Sequence, residues 1–170
     1  MSIKPTGRLS YREDGLYLML DRLFTASKED VWASLTRPGA LQSWIGTYTG
    51  TPESGAVRFK LDDPDAEWEY VTIIRCIPPK RFTVDIGEDD ASRRVILHLV
   101  EGAGMTTLTF GQRLRSPAEA ASAGPFWDYY FDRLVAARAG RPLPDRAHYK
   151  AHVEYYSELI PPKKATEPTM

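Results

Sequence analysis

The stretch from Gly124 to Gly140, GPFWDYYFDRLVAARAG, constrains the fold more than any other part of the chain. Trp127, Tyr130, Phe131, Leu134, Val135 and Arg138 fall at i, i+3, i+4, i+7, i+8 and i+11, the apolar stripe of a helix with one buried face. Asp128, Asp132 and Arg133 take the other side, and Gly140 followed by Pro142 supplies the stop. A stripe of three aromatics and two aliphatics needs a large apolar partner. Only the run of strands that precedes it can provide one.

Those strands are legible from alternation. Residues 1–15 are assigned to an N-terminal arm, and Leu16–Phe24 reads as the first strand. Leu18, Leu20 and Phe24 share one of its faces with Arg22, while Tyr17, Met19 and Leu23 share the other with Asp21, so periodicity does not choose the inner side. Ser27-Lys28-Glu29-Asp30 opens a short helix with a hydroxyl cap and acids at its positive end, and Val31, Trp32 and Leu35 give it a buried face. Pro38 starts a second short helix carrying Leu41 and Trp44 and ended by Gly46.

From there the period changes to two. Thr47–Thr51 and Val57–Leu61 form a hairpin turned at Pro52–Gly55. Glu67–Ile77 is the longest expected strand. Glu67, Glu69 and Arg75 mark its wet side, shared with Val71 and Ile73, which places Trp68, Tyr70, Thr72, Ile74 and Cys76 inward. Pro78-Pro79 turns the chain; Phe82, Val84 and Ile86 face in, then Val95, Leu97 and Leu99, then Leu108, Phe110 and Gln112. Turns about every ten residues mark an antiparallel meander. Ser116-Pro117-Ala118-Glu119 is a second capping box, and the helix it opens should break or kink near Gly124-Pro125. A further helix is expected from about Arg146 to Leu159, with Tyr149, Val153, Tyr156 and Ile160 on one stripe.

The expected architecture is therefore α+β of the helix-grip kind. A curved antiparallel sheet of six or seven strands wraps round a long C-terminal helix, with two short helices after the first strand. One domain spans 16–160, and 161–170 is a polar tail that should fray.

Ala26-Ser27-Lys28-Glu29-Asp30-Val31-Trp32, then Leu35-Thr36-Arg37-Pro38, Leu41, Trp44 and Gly46, resemble the opening of the heat-shock chaperone ATPase activator homologue-like proteins. These belong to the START/SRPBCC superfamily, relatives of the birch-pollen allergen fold. Ile77–Phe82 is similar to that family's central turn, Thr106–Phe110 to its last strand, and Trp127 with Leu134 to its C-terminal helix. Ser27 stands where the family usually has proline, and Phe126 where glycine often precedes the tryptophan. The resemblance covers roughly 16–140 and implies a deep apolar pocket between sheet and helix. It does not imply chaperone activation, which in the namesake also needs a separate N-terminal domain, and the 15 residues before the first strand leave no room for one.

Trp44, Phe59, Trp68, Tyr70, Phe82, Phe110, Trp127, Tyr130 and Phe131 are the candidates to line such a pocket, set against the plainer role of filling the core. Gln112, with Thr72 and Tyr70, is the candidate polar anchor, although a buried amide with an internal partner is favoured. His148 and His152 have the i, i+4 spacing of metal ligands but lack a third, so no metal is expected. Cys76 reads as an inert thiol, and Asp62-Asp63-Asp65 and Glu88-Asp89-Asp90 as solvated turns. No phosphate loop or nucleophile elbow is present, so neither cofactor nor catalytic residue is assigned.

A net charge of −1 offers no field to attract nucleic acid or an anionic membrane. One cysteine excludes a disulfide framework, and the lack of a signal-like apolar core makes the cytoplasm the default location. The leading expectation is non-enzymatic binding of a small hydrophobic or amphipathic molecule. The alternatives are an enzyme using Tyr70, Tyr130, Gln112 or Arg22 in the same cavity, and a protein-interaction domain using the last helix. That helix is expected to dock on its own domain in preference to forming a homodimer.

Overall fold

A computed structural model describes residues 4–163. In chain order the elements are β1 (Arg8–Arg12), β2 (Gly15–Phe24), α1 (Lys28–Thr36), α2 (Pro38–Gln42), β3 (Gly46–Thr49), β4 (Ala56–Leu61), β5 (Glu69–Ile77), β6 (Arg81–Ile86), β7 (Arg93–Gly102), β8 (Met105–Leu114), α3 (Ala120–Arg138) and α4 (His152–Ser157). The strands make one antiparallel sheet in the order β1-β2-β8-β7-β6-β5-β4-β3. It is the expected helix grip, with α3 lying on the inner face.

The sheet has eight strands rather than six or seven. Arg8–Arg12, assigned from sequence to the arm, folds back on β2 with Arg12 opposite Gly15 and Leu9 opposite Leu18. Of the expected tail, 164–170 lies outside the described residues, as do residues 1–3 of the arm. The meander itself follows the alternation. β7 and β8 are joined by the two-residue turn Ala103-Gly104, both at positive φ (54° and 75°), the twist that suits a tight hairpin.

Side chains directly opposite each other in a ladder share a face, so register fixes what points inward. Leu16, Leu18, Leu20 and Arg22 stand opposite Leu114, Gln112, Phe110 and Leu108. Val84 and Phe82 stand opposite Val95 and Leu97. The outer face has a small core of its own. Met19 and Ile96 close over Gly111, where an added Cβ would lie 2.7 Å from the Met19 sulfur and 2.9 Å from Ile96. Tyr17 is buried beside them and donates to Asp14 at 2.7 Å; burial, then that bond, pushes its phenol up to about 12.

The short helices start where capping predicts: Ser27 Oγ accepts from the Asp30 amide at 3.2 Å, and Pro38 is the first residue of α2. At the second capping box the outcome differs. The Glu119 carboxylate accepts the Arg115 amide at 3.1 Å, and Ser116 makes no cap bond. α3 then runs through Pro125 as one continuous helix, without the break that was one of the two outcomes expected there. Proline disfavours helix in the residue before it largely through that residue's Cβ, and here that residue is Gly124, which has none. The helix ends as the sequence indicates. Gly140 has φ 66°, its amide meets the Ala137 carbonyl at 3.3 Å, and the Arg141 amide meets Ala136 at 2.9 Å.

The last segment is a 3-10 turn, Arg146–Ala151, followed by α4, in place of one helix over 146–159. It docks on α3 through Tyr149, His152 and Tyr156, all buried, while Val153 and Ile160 of the expected stripe are exposed.

Candidate functional site

Under α3 the expected lining residues pack on one another. Trp127 and Phe131 lie 4.4 and 4.9 Å, ring to ring, from Phe110 of β8, and Trp44 lies 5.7 Å from Phe131. Tyr130 is fully buried between Phe126 and Tyr129. Gln112 has an internal partner: the Trp127 indole donates to its Oε1 at 2.7 Å. The Trp44 indole donates to the Ser34 carbonyl at 2.8 Å, which seats the loop after α2 against α1. These six residues come together as core, beneath the helix.

Phe59 and Phe82 are only half-buried, farther along the same inner face. Trp68, Tyr70 and Thr72 are not inner residues at all. Thr72 pairs with Asp85, Tyr70 pairs with Arg58 and stacks under its guanidinium at 4.9 Å, and Trp68 and Tyr70 are 46% and 41% exposed. The inner face of β5 instead carries Glu69, Val71 and Ile73, opposite Phe59, Val57 and Val84. Two features set β5 apart from simple alternation. Glu69 reads as a sign of water, but it stands at the end of the inner face and pairs with Arg93 at 3.3 Å. Arg75 lies beyond a bulge between Ile73 and Arg75, and one extra residue exchanges the two faces. After the bulge Cys76 stands opposite Phe82; it is exposed, and burial of its thiol group still moves its titration upward.

The inner face therefore has two halves. Over β2 and β8 it is sealed by α3, where Leu18, Leu20, Leu108 and Phe110 are all within 1% of full burial, and over β7 α1 takes part in the cover. Over β6, β5 and β4 the apolar surface continues through Val84, Ile86, Val71, Ile73, Phe59 and Phe82, and every one of these is half-buried. Trp32 of α1 meets Phe82 edge-on at 5.8 Å and bounds that surface on one side.

A polar centre that local sequence does not show lies on the far side of α3. Asp128 is expected on the wet side, yet it is fully buried. Arg22 Nη2 donates to it at 2.9 Å, the Thr6 hydroxyl at 2.5 Å, and the Tyr156 hydroxyl also donates to it. Arg22 also reaches Asp132 at 3.0 Å, which in turn accepts the Tyr149 hydroxyl. Burial, then the neighbouring carboxylates, raise both phenols well above the ordinary tyrosine range, so they stay donors. The signal for this centre was Arg22 itself: a cation on the apolar face of a strand requires a buried anion.

Asp62 and Asp63, read as a solvated turn, hold cations of the helical layer. Asp62 accepts from Arg133 at 2.8 Å and Asp63 from Arg146 at 2.5 Å. Arg133, also expected on the wet side, is buried against the rings of Tyr129 and Tyr130. Among the described residues no three His, Cys, Asp or Glu side chains gather as a metal site, and no helix is long and apolar enough to cross a membrane.

Known structures share this architecture. CalU16 from Micromonospora echinospora superposes with a TM-score of 0.73 at 21% identity, covering 94% of this chain and 98% of that one. The protein encoded by BPP1335 of Bordetella parapertussis gives 0.71 at 20% identity over 95% of each chain. EF2215 from Enterococcus faecalis gives 0.62 at 21% identity over 89% of each. At such identities the likeness is one of fold. No curated protein matches the chain. The family model described as activator of Hsp90 ATPase homolog 1-like protein matches residues 25–139, from the start of α1 through the end of α3. The chain belongs to that family.

Proposed function

We propose that this chain is a binding module that takes up a small apolar or amphipathic molecule on the open half of its inner face. One observation carries the proposal: the apolar inner surface does not end where α3 stops covering it. Val71, Ile73, Val84 and Ile86 remain half-buried on β5 and β6. A contiguous apolar surface left partly wet by its own fold is the usual mark of a ligand site. Membership of a helix-grip family supports the same reading. The site lies beside the filled core rather than within it, since Trp44, Phe110, Trp127 and Phe131 already occupy one another's space.

Titration with a panel of fatty acids, sterols and polycyclic aromatics tests this, read by thermal shift and by tryptophan emission. A ligand of the folded state raises Tm with concentration and saturates. Val84→Asp, which places a charge on the open face, should weaken that response, while Thr72→Asp on the outer face should not. A panel with no saturable member, or equal losses in the two variants, overturns the proposal.

A further inference from the structure

At the Arg93 end of the open face the apolar wall runs into a polar cleft of about 400 Å³, bounded by the start of β7, the end of β8 and Glu119 ahead of α3. Its floor is Leu114, which is buried, and its walls carry Arg93, Arg94, Arg113 and Arg115. Two of these cations are already committed towards the outer face. Arg94 grips Asp85 with two bonds of 2.9 and 3.0 Å, and Arg113 pairs with Asp14 at 3.3 Å. The other two are available. The Arg115 guanidinium makes no ion pair among the described residues. Arg93 meets only Glu69, at 3.3 and 3.4 Å with both side chains more than a third exposed, geometry that contributes little. The cleft's Asp89 and Asp90 stand on the exposed loop at its rim.

Register joins the cleft to the apolar face. Arg93 is directly opposite Ile86, and Ile86 is directly opposite Val71. The available cation thus stands at the end of a row of apolar side chains on the same face. We infer that the bound molecule is an amphipathic anion, its apolar body along Val71 and Ile86 and its acidic head on the Arg93 guanidinium, with Arg115 beside it. The inference rests on the binding proposed above and names the chemical class it serves. A carboxylate arriving at Arg93 takes the place of Glu69 and gains the paired geometry that Glu69 lacks.

Laurate and lauryl alcohol, titrated calorimetrically below their aggregation limits, share a chain and differ in the head. Laurate should bind about tenfold tighter than the alcohol, the scale of one charge-assisted hydrogen bond. Arg93→Gln should collapse that preference, and Glu69→Gln, which removes the competing carboxylate, should widen it several-fold. The opposite signs matter, because a purely structural role for the Arg93–Glu69 pair would move both variants the same way. Equal affinity for acid and alcohol overturns the inference while leaving apolar binding intact. So does a preference that survives Arg93→Gln, or two variants that shift together. Binding of neither probe removes the inference along with the proposal it rests on.

Discussion

The two halves of the inner face are built from the same strand chemistry and are covered differently. Over β2 and β8 the aliphatic rows are sealed by α3, with Trp127 and Phe131 on Phe110; over β7 α1 takes part in the cover, and α3 is itself walled in by α4. Over β4, β5 and β6 equally apolar rows stay half-buried. Apolar surface buried on both sides stabilises the fold at about 25 cal/mol per Å². The same surface left partly wet holds stability in reserve for whatever covers it. The sealed half is thus where the domain is held together, and the open half is where it has something to offer a ligand.

The comparison is sharpest in large-to-small substitutions. Trp127→Ala removes a buried ring stacked on Phe110 and the donor that satisfies Gln112, and should cost about 3–5 kcal/mol by denaturant unfolding. Val84→Ala on the open half should cost about 1 kcal/mol. Equal losses would mean the two halves are not distinct in energy.

Gly124→Ala tests the outer wall of the sealed half. Its Cβ would lie 2.3 Å from the Tyr156 ring, so α4 must lift or α3 must shift, at about 1–3 kcal/mol. Proteolysis in the segment after Pro144 should accelerate. An unchanged cleavage rate would show that α4 is not needed as a wall.

Alkaline pH probes the same wall reversibly. Tyr149 and Tyr156 titrate above their unfolded value of about 10, raised by burial and by Asp132 and Asp128. Their contribution is fully present below pH 10. As pH rises beyond that the unfolded chain ionises first, and stability is lost. Tm should fall above pH 10, and less steeply in Tyr156→Phe, whose starting Tm is lower. A slope identical to that of the parent would place the titrating groups elsewhere.

The smallest effect is expected away from both halves. Ala103 sits at φ 54° in the β7–β8 turn, so Ala103→Gly should gain up to about 1 kcal/mol without altering either face.

Much of this was written in local sequence. The stripe from Trp127 to Leu134, the Ser27 cap, the Gly140 stop and the alternation of β6 to β8 each follow from one element's own residues. What failed to show depends on partners far along the chain. Asp128 reads as solvent-facing until Arg22, Thr6 and Tyr156, all distant in sequence, converge on it. Arg8–Arg12 reads as an arm because its pairing partner, not its own pattern, makes it a strand. For β5 two charges mislead: Glu69 stands on the inner face with a partner in Arg93, and Arg75 lies beyond a bulge that leaves no mark in composition. Together they make Trp68, Tyr70 and Thr72 read as inward and Val71 and Ile73 as wet, the reverse of their places.

The most direct test is a backbone amide and methyl chemical-shift map of the labelled protein titrated with laurate. Saturable shifts should concentrate at Val71, Ile73, Val84 and Ile86, with Leu18, Leu20 and Leu108 under α3 unmoved. Shifts centred instead on Trp68 and Tyr70 of the outer face, or on the residues sealed beneath α3, would contradict binding on the open half.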